Sequence, residues 1–185
     1  MQEKKAQELY RTLTQNIGPY LQSDMRVLEM GCGTGQLSLP LAPLVKDWTA
    51  TDYSSGMIKE LKKRPLPNNL HPTVQDASHL PYGSKQFDVV VIANTLHIMT
   101  EPEKALQEAH RVLKENGLLI APTFIRDEHQ NKWKLWFLEL FGFNIYNNWT
   151  AEEFCDFVRQ FHFSIESGYV ILGDPSSEYL LIARR

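Results

Sequence analysis

The feature that most constrains the fold is a run of spaced glycines, Gly31, Gly33 and Gly35, placed directly after the apolar stretch Met25 to Met30 and before the apolar, helix-like stretch Gly35 to Leu44. A short buried strand that breaks into a glycine turn and continues as a helix is the opening unit of an α/β sheet protein. Glycine tolerates left-handed backbone and brings no Cβ, so such a turn lets the main chain come close to a ligand.

The alternation continues along the chain. Ahead of the glycine turn, Ala6, Leu9, Tyr10, Leu13 and Ile17 recur at helical spacing until Gly18-Pro19 stops the pattern. Beyond it, strands are predicted near Trp48 to Thr51, His71 to Gln75, Phe87 to Ala93 and Leu118 to Thr123, with helices near Ser54 to Lys63 and after the Thr100-Glu101-Pro102-Glu103 capping pattern, the latter ending at Asn116-Gly117. Trp133, Trp136, Phe137, Leu140 and Phe141 mark a further helical stripe, and Thr150-Ala151-Glu152-Glu153 caps one more helix. Ile165 to Leu172 and Glu178 to Ala183 are strands joined by a loop too short for a crossover, hence an antiparallel hairpin. The expectation is an α/β fold: a doubly wound, seven-stranded, mostly parallel sheet of order 3-2-1-4-5-7-6 with strand 7 antiparallel, Rossmann-like in plan. It forms a single domain over residues 1–185, with an N-terminal helix in 1–22, a ligand-binding core in 25–123, substrate-side helices in 124–162 and the hairpin in 163–185.

Composition narrows the function. A chain of 185 residues with 43% hydrophobic and 22% charged residues can bury its own core. A formal charge of −3 gives no footprint for phosphate backbones, so general nucleic-acid binding is not expected. No apolar run approaches the roughly 18–20 residues of a membrane span and no signal-peptide core is present, so a cytoplasmic protein is expected. Cys32 and Cys155 form neither a disulfide framework nor a metal-binding pair, and no metal site is expected. The sequence carries no signal for oligomeric state.

In a doubly wound sheet, ligands bind beyond the carboxyl ends of the strands. The chemistry-bearing residues fall there: Glu29 and the Gly31-Cys32-Gly33-Thr34-Gly35 turn after strand one, Asp52 after strand two, Asp76 after strand three, Asn94 after strand four. The spacing is G-x-G-x-G, neither the G-x-G-x-x-G of dinucleotide enzymes nor a Walker loop. Glu29, two residues ahead of the first glycine, asks for positive charge on the ligand, as on the ammonium of an amino acid. Asp52 is placed to accept from both hydroxyls of a ribose, and Asp76, with the backbone of Ala77, from the amino group of an adenine.

The segment Val27-Leu28-Glu29-Met30-Gly31-Cys32-Gly33-Thr34-Gly35 resembles the first motif of the class I S-adenosylmethionine-dependent methyltransferases. Thr51-Asp52-Tyr53-Ser54 with Met57, Gln75-Asp76-Ala77, Phe87-Asp88-Val89-Val90 with Asn94, and Arg111 to Gly117 resemble the later motifs in order, so the likeness spans about Met25 to Thr123. Within that superfamily it looks most like the compact ubiquinone/menaquinone-biosynthesis branch. The resemblance implies S-adenosylmethionine as methyl donor, S-adenosylhomocysteine as product, and a small-molecule acceptor. It implies that Glu29, Gly31 and Gly33, with Cys32 and Gly35 in the same turn, hold the methionyl part. Asp52 would hold the ribose, Tyr53 and Met57 the adenine face, and Asp76 and Ala77 its edge. Asn94 would lie near the sulfonium.

Several residues carry two readings. His97 is either a base or substrate contact, or a pocket-lining histidine that does not titrate. Tyr10 either closes over the methyl donor or packs, and the aromatic segment with Trp133 and Trp136 either contacts a hydrophobic or aromatic acceptor or is a core-facing helix. Asp76 and Asn94 could also be turn residues. For the whole chain the alternatives are a noncatalytic S-adenosylmethionine-binding protein and, disfavoured by the glycine spacing, an NAD-type oxidoreductase.

Overall fold

The structure, a computed structural model, describes residues 2–126, 146–172 and 177–185. Helix α1 (Gln2–Ile17) precedes β1 (Arg26–Met30), α2 (Ser38–Leu41), β2 (Asp47–Asp52), α3 (Ser55–Leu61) and β3 (Leu70–Val74). The second half runs β4 (Phe87–Val91), α4 (Pro102–Val112), β5 (Leu113–Phe124), α5 (Ala151–Arg159), β6 (Ser164–Ile171) and β7 (Glu178–Arg184).

The seven strands form one sheet of order β3-β2-β1-β4-β5-β7-β6. The pairs from β3 to β5 are parallel, whereas β7 runs antiparallel to both β5 and β6, as expected. Strand order reverses at β1 and β4, where Leu28 faces Val90 and Glu29 faces Val91. Crossovers from these two strands leave to opposite sides, which opens a crevice above their carboxyl ends.

Both sheet faces are covered, which is why the central strands read as unbroken apolar runs. Val27, Val89, Ile120 and Ile182 point into a core shared with Leu13 and Ile17 of α1 and Ile58 and Leu61 of α3. The alternate residues Leu28, Val90, Leu119 and Leu181 pack with Leu106 and Ala109 of α4 and Phe154 and Val158 of α5. Such burial is worth about 1.5–3 kcal/mol for each large aliphatic or aromatic side chain.

Three expectations shift at element ends. The helix after the glycine turn is a single turn at Ser38–Leu41 followed by a 3-10 turn at Ala42–Leu44. Pro43 has no N–H to offer the carbonyl of Leu39, so the helical ladder stops there. Helix α4 begins after Glu101, whose side chain makes no cap bond, so the expected capping box is not formed. It ends at Val112, ahead of Asn116-Gly117, because Leu113 is already extended and pairs with Phe87. Asn116 takes a left-handed φ of 59° inside the irregular stretch that follows. The Thr150 capping box forms as expected, with Thr150 Oγ1 and the Glu153 carboxylate each accepting from the other residue's backbone N–H.

Candidate functional site

Tight backbone geometry builds the floor of the site. Gly31, Gly33 and Gly35 have φ values of 78°, 54° and 83°, a region costly for other residues. Gly31 N and Cys32 N both donate to Thr51 O, at 2.7 and 2.9 Å, so the turn is tied to the end of β2. The three glycines differ in what a Cβ would meet. At Gly31 it would lie 2.1 Å from Thr95 Oγ1, and at Gly35 2.4 Å from Leu61 Cδ1, whereas at Gly33 nothing among the described residues lies within 4 Å. Gly33 therefore faces open space, and Gly35 serves packing against α3.

Asp52 braces this turn. Its Oδ2 accepts from Gly33 N and its Oδ1 from Ser54 N, both at 2.8 Å. A carboxylate offers about four lone-pair sites, so two remain for a ligand. Beneath the turn Glu29 is buried, with Oε2 accepting from Ser38 Oγ and, at 2.9 Å, from Trp48 Nε1. Burial pushes its carboxyl up to about 7 despite these donors.

A cavity of about 1000 Å³ opens over the carboxyl ends of the parallel strands. It brings together Glu29, Gly31, Cys32, Gly33, Asp52, Tyr53, Met57, Asp76, Ala77, Asn94, His97 and Tyr10. Gly35 alone among the predicted cofactor residues is not in its wall. Tyr53, 79% exposed, and Met57, 38% exposed, stand at the mouth. Asp76 accepts from Ser78 N and Ser78 Oγ, which hold its carboxyl below the usual range. It thus caps its own turn while lining the cavity. Trp133 and Trp136 lie outside the described residues.

The deep end is formed by β4, β5 and the chain that follows them. His97, on the 3-10 turn Leu96–Ile98, is buried, and burial lowers its imidazole to about 4, so the ring is neutral at pH 7. Its Nδ1 is 3.5 Å from Thr123 Oγ1, its ring meets Phe124 edge-on at 5.4 Å, and its carbonyl accepts from Tyr146 N and Asn147 N. Burial, then the charges of Glu178 and Glu29, push the phenol of Tyr10 up to about 12.

One residue escaped the sequence reading. Glu178, the first residue of β7, is fully buried, and its Oε1 accepts from Asn94 Nδ2 at 2.6 Å. Its signal was positional: Leu180 and Ile182 point inward, so Glu178, two residues earlier, must do so too. Among the described residues no group of histidine, cysteine or acidic side chains is arranged to hold a metal.

Comparison with known proteins decides the family. Residues 28–121 match the family model described as a methyltransferase domain. The chain belongs to the class I S-adenosylmethionine-dependent methyltransferases. The chain is 39% identical over 99 residues to the demethylmenaquinone methyltransferase of Renibacterium salmoninarum, a match covering 54% of the chain and 41% of that protein. It is 30% identical over 128 residues to the ubiquinone/menaquinone biosynthesis C-methyltransferase of Shewanella baltica, covering 65% of the chain and 50% of that protein. The chain thus spans about half the length, or less, of these relatives. Among solved structures, the magnesium protoporphyrin IX methyltransferase of Synechocystis, with SAH bound, superposes with a TM-score of 0.74 over 98% of this chain and 84% of that one at 19% identity, a likeness of fold. Among the described residues no helix is long and apolar enough to cross a membrane.

Proposed function

We propose that the chain is a cytoplasmic enzyme that transfers the methyl group of S-adenosylmethionine to a small hydrophobic or aromatic acceptor. The observation that carries this reading is the cradle at Gly33: a left-handed glycine open to the cavity, its N–H bound to Asp52, with Glu29 buried below. An anionic floor suits a cationic ligand, and a carboxylate with spare lone pairs suits a ribose. In this reading Glu29, Gly31 and Gly33 hold the methionyl part, Asp52 the ribose, and Tyr53, Met57, Asp76 and Ala77 the adenine. Asn94 then lies near the reacting centre.

Bound there, the donor supplies an electrophilic methyl on a sulfonium. The chain's contribution is alignment of the acceptor and exclusion of water. His97, neutral and buried, can accept a hydrogen bond from an acceptor hydroxyl; its lowered basicity makes it an orienting group rather than a strong base. Met99, Phe124 and Tyr146 give that end of the wall its apolar surface. The quinone-biosynthesis relatives support an aromatic acceptor.

The test is calorimetric titration with S-adenosylhomocysteine and, separately, NAD, followed by mass-spectrometric detection of methyl transfer to a panel of hydroquinones and phenols. Saturable binding of S-adenosylhomocysteine alone, with transfer, is expected. Binding of NAD alone overturns the reading, and cofactor binding with no transfer to any acceptor shifts it to a noncatalytic binding protein.

A further inference from the structure

At the deep end of the cavity lies a polar pair, Asn94 and Glu178, of which the cofactor reading uses Asn94 alone. Asn94 lines the cavity just past β4, with a left-handed φ of 50° and its N–H bonded to Pro122 O at 2.8 Å. Its amide donates to Glu178 Oε1 at 2.6 Å. Asn94 Oδ1 and Glu178 Oε2 are both shut off from solvent, and among the described residues both lack a hydrogen-bond partner. Buried polar atoms are nearly always paired, so two unpaired acceptors on hydrogen-bonded neighbours call for a donor from elsewhere. A brace between β4 and β7 would not need a charged side chain, since an amide at 178 would hold Asn94 as well and leave no buried charge.

The pair adjoins the cavity, with Asn94 in its wall and Glu178 just behind Asn94. Glu178 is in register with Phe124, which lines the cavity, and its charge reaches Tyr10, which lines it too. The wall contains Glu29, Asp52, Asp76 and Glu101, and among its described residues no lysine or arginine. A carboxylate or phosphate on the acceptor would meet no counter-charge from these described residues, whereas a hydroxyl or ammonium would meet acceptors.

We propose that Glu178, together with Asn94, recognises the methyl acceptor by accepting a hydrogen bond from its O–H or N–H group, and that acceptors carrying an anionic group in that place are rejected. This rests on the reading of the cavity as a methyl-donor site. Glu178 is a specificity residue here and takes no part in holding the donor.

The experiment uses the whole chain saturated with S-adenosylhomocysteine and titrated with matched aryl probes: 4-ethylphenol, 2-phenylethylamine and 3-phenylpropionate. A donor probe is expected to bind about tenfold or more tightly than the carboxylate, the range for a hydrogen bond to a charged group. Glu178→Gln should remove most of that preference while its affinity for S-adenosylhomocysteine stays within about twofold of wild type. A purely structural role would alter stability and leave the ratio between probes untouched. Equal binding of the probes, a preference for the carboxylate, no saturable donor binding, or an unchanged ratio in the variant overturns the proposal. Should Glu178→Gln not fold, Glu178→Asp, which withdraws the carboxylate by one methylene, decides: a retained preference overturns it. A wild-type chain that takes no S-adenosylhomocysteine overturns the methyl-donor reading itself and is thereby told apart.

Discussion

Alanine at Gly33 and at Gly31 should separate ligand space from packing space within one turn. Both residues have positive φ, so either substitution costs about 1–2 kcal/mol of backbone strain. At Gly33 that is the whole penalty to the free protein, because a Cβ there meets nothing among the described residues within 4 Å. At Gly31 the new carbon would press on Thr95, 2.1 Å from Oγ1 and 2.9 Å from Cβ, and the branched side chain cannot rotate both away. Overpacking of this kind adds about 1–3 kcal/mol, for a total of about 2–5 kcal/mol. Urea unfolding should therefore show Gly33→Ala mildly and Gly31→Ala severely destabilised. Calorimetry should show the reverse emphasis for the milder variant: folded Gly33→Ala should lose about tenfold or more in affinity for S-adenosylhomocysteine, since its methyl occupies the space the ligand needs. Wild-type affinity in folded Gly33→Ala would refute the cradle, and equal stability of the two variants would refute the packing argument at Thr95.

Two further outcomes are expected. Asp52→Ala should weaken S-adenosylhomocysteine binding by about 1.5–3 kcal/mol, the range for hydrogen bonds to a charged group, and an unchanged Kd in the folded variant would reject the ribose assignment. Glu29, raised to about 7 by burial, is partly protonated in the free protein at neutral pH, and a bound ammonium favours its ionised form. Binding should therefore release a proton, so affinity rises from pH 6 to about 7.5 and then levels; Glu29→Gln should flatten the profile, and a wild-type affinity that falls across this range would contradict the contact.

Much of the fold could be read from period and punctuation. Apolar runs such as Val89 to Val91 are continuous because both faces of the sheet are covered, and the last two apolar stretches lie too close in sequence for a crossover, which leaves an antiparallel return. Element ends were harder, since they are set by single backbone groups: the missing N–H of Pro43, the early extension of Leu113. In the cavity, residues on strand ends were legible because topology alone gathers them. Gly35 resembled its neighbours in sequence, yet only the approach of Leu61 shows that it serves packing. Glu178 was hidden because a charged residue opening an apolar strand reads as a solvated end, and the partner that explains it, Asn94, is 84 residues away.

The antiparallel placement of β7 has a consequence for how the protein is made. Because β7 runs against its neighbours, its first residue, not its last, arrives at the rim where the parallel strands finish. During synthesis the first five strands leave the ribosome with the β5 edge bare and the Asn94 amide without its carboxylate. The nascent sheet thus presents an open pairing edge until the β6–β7 hairpin has followed, and the wall at Asn94 becomes whole only then.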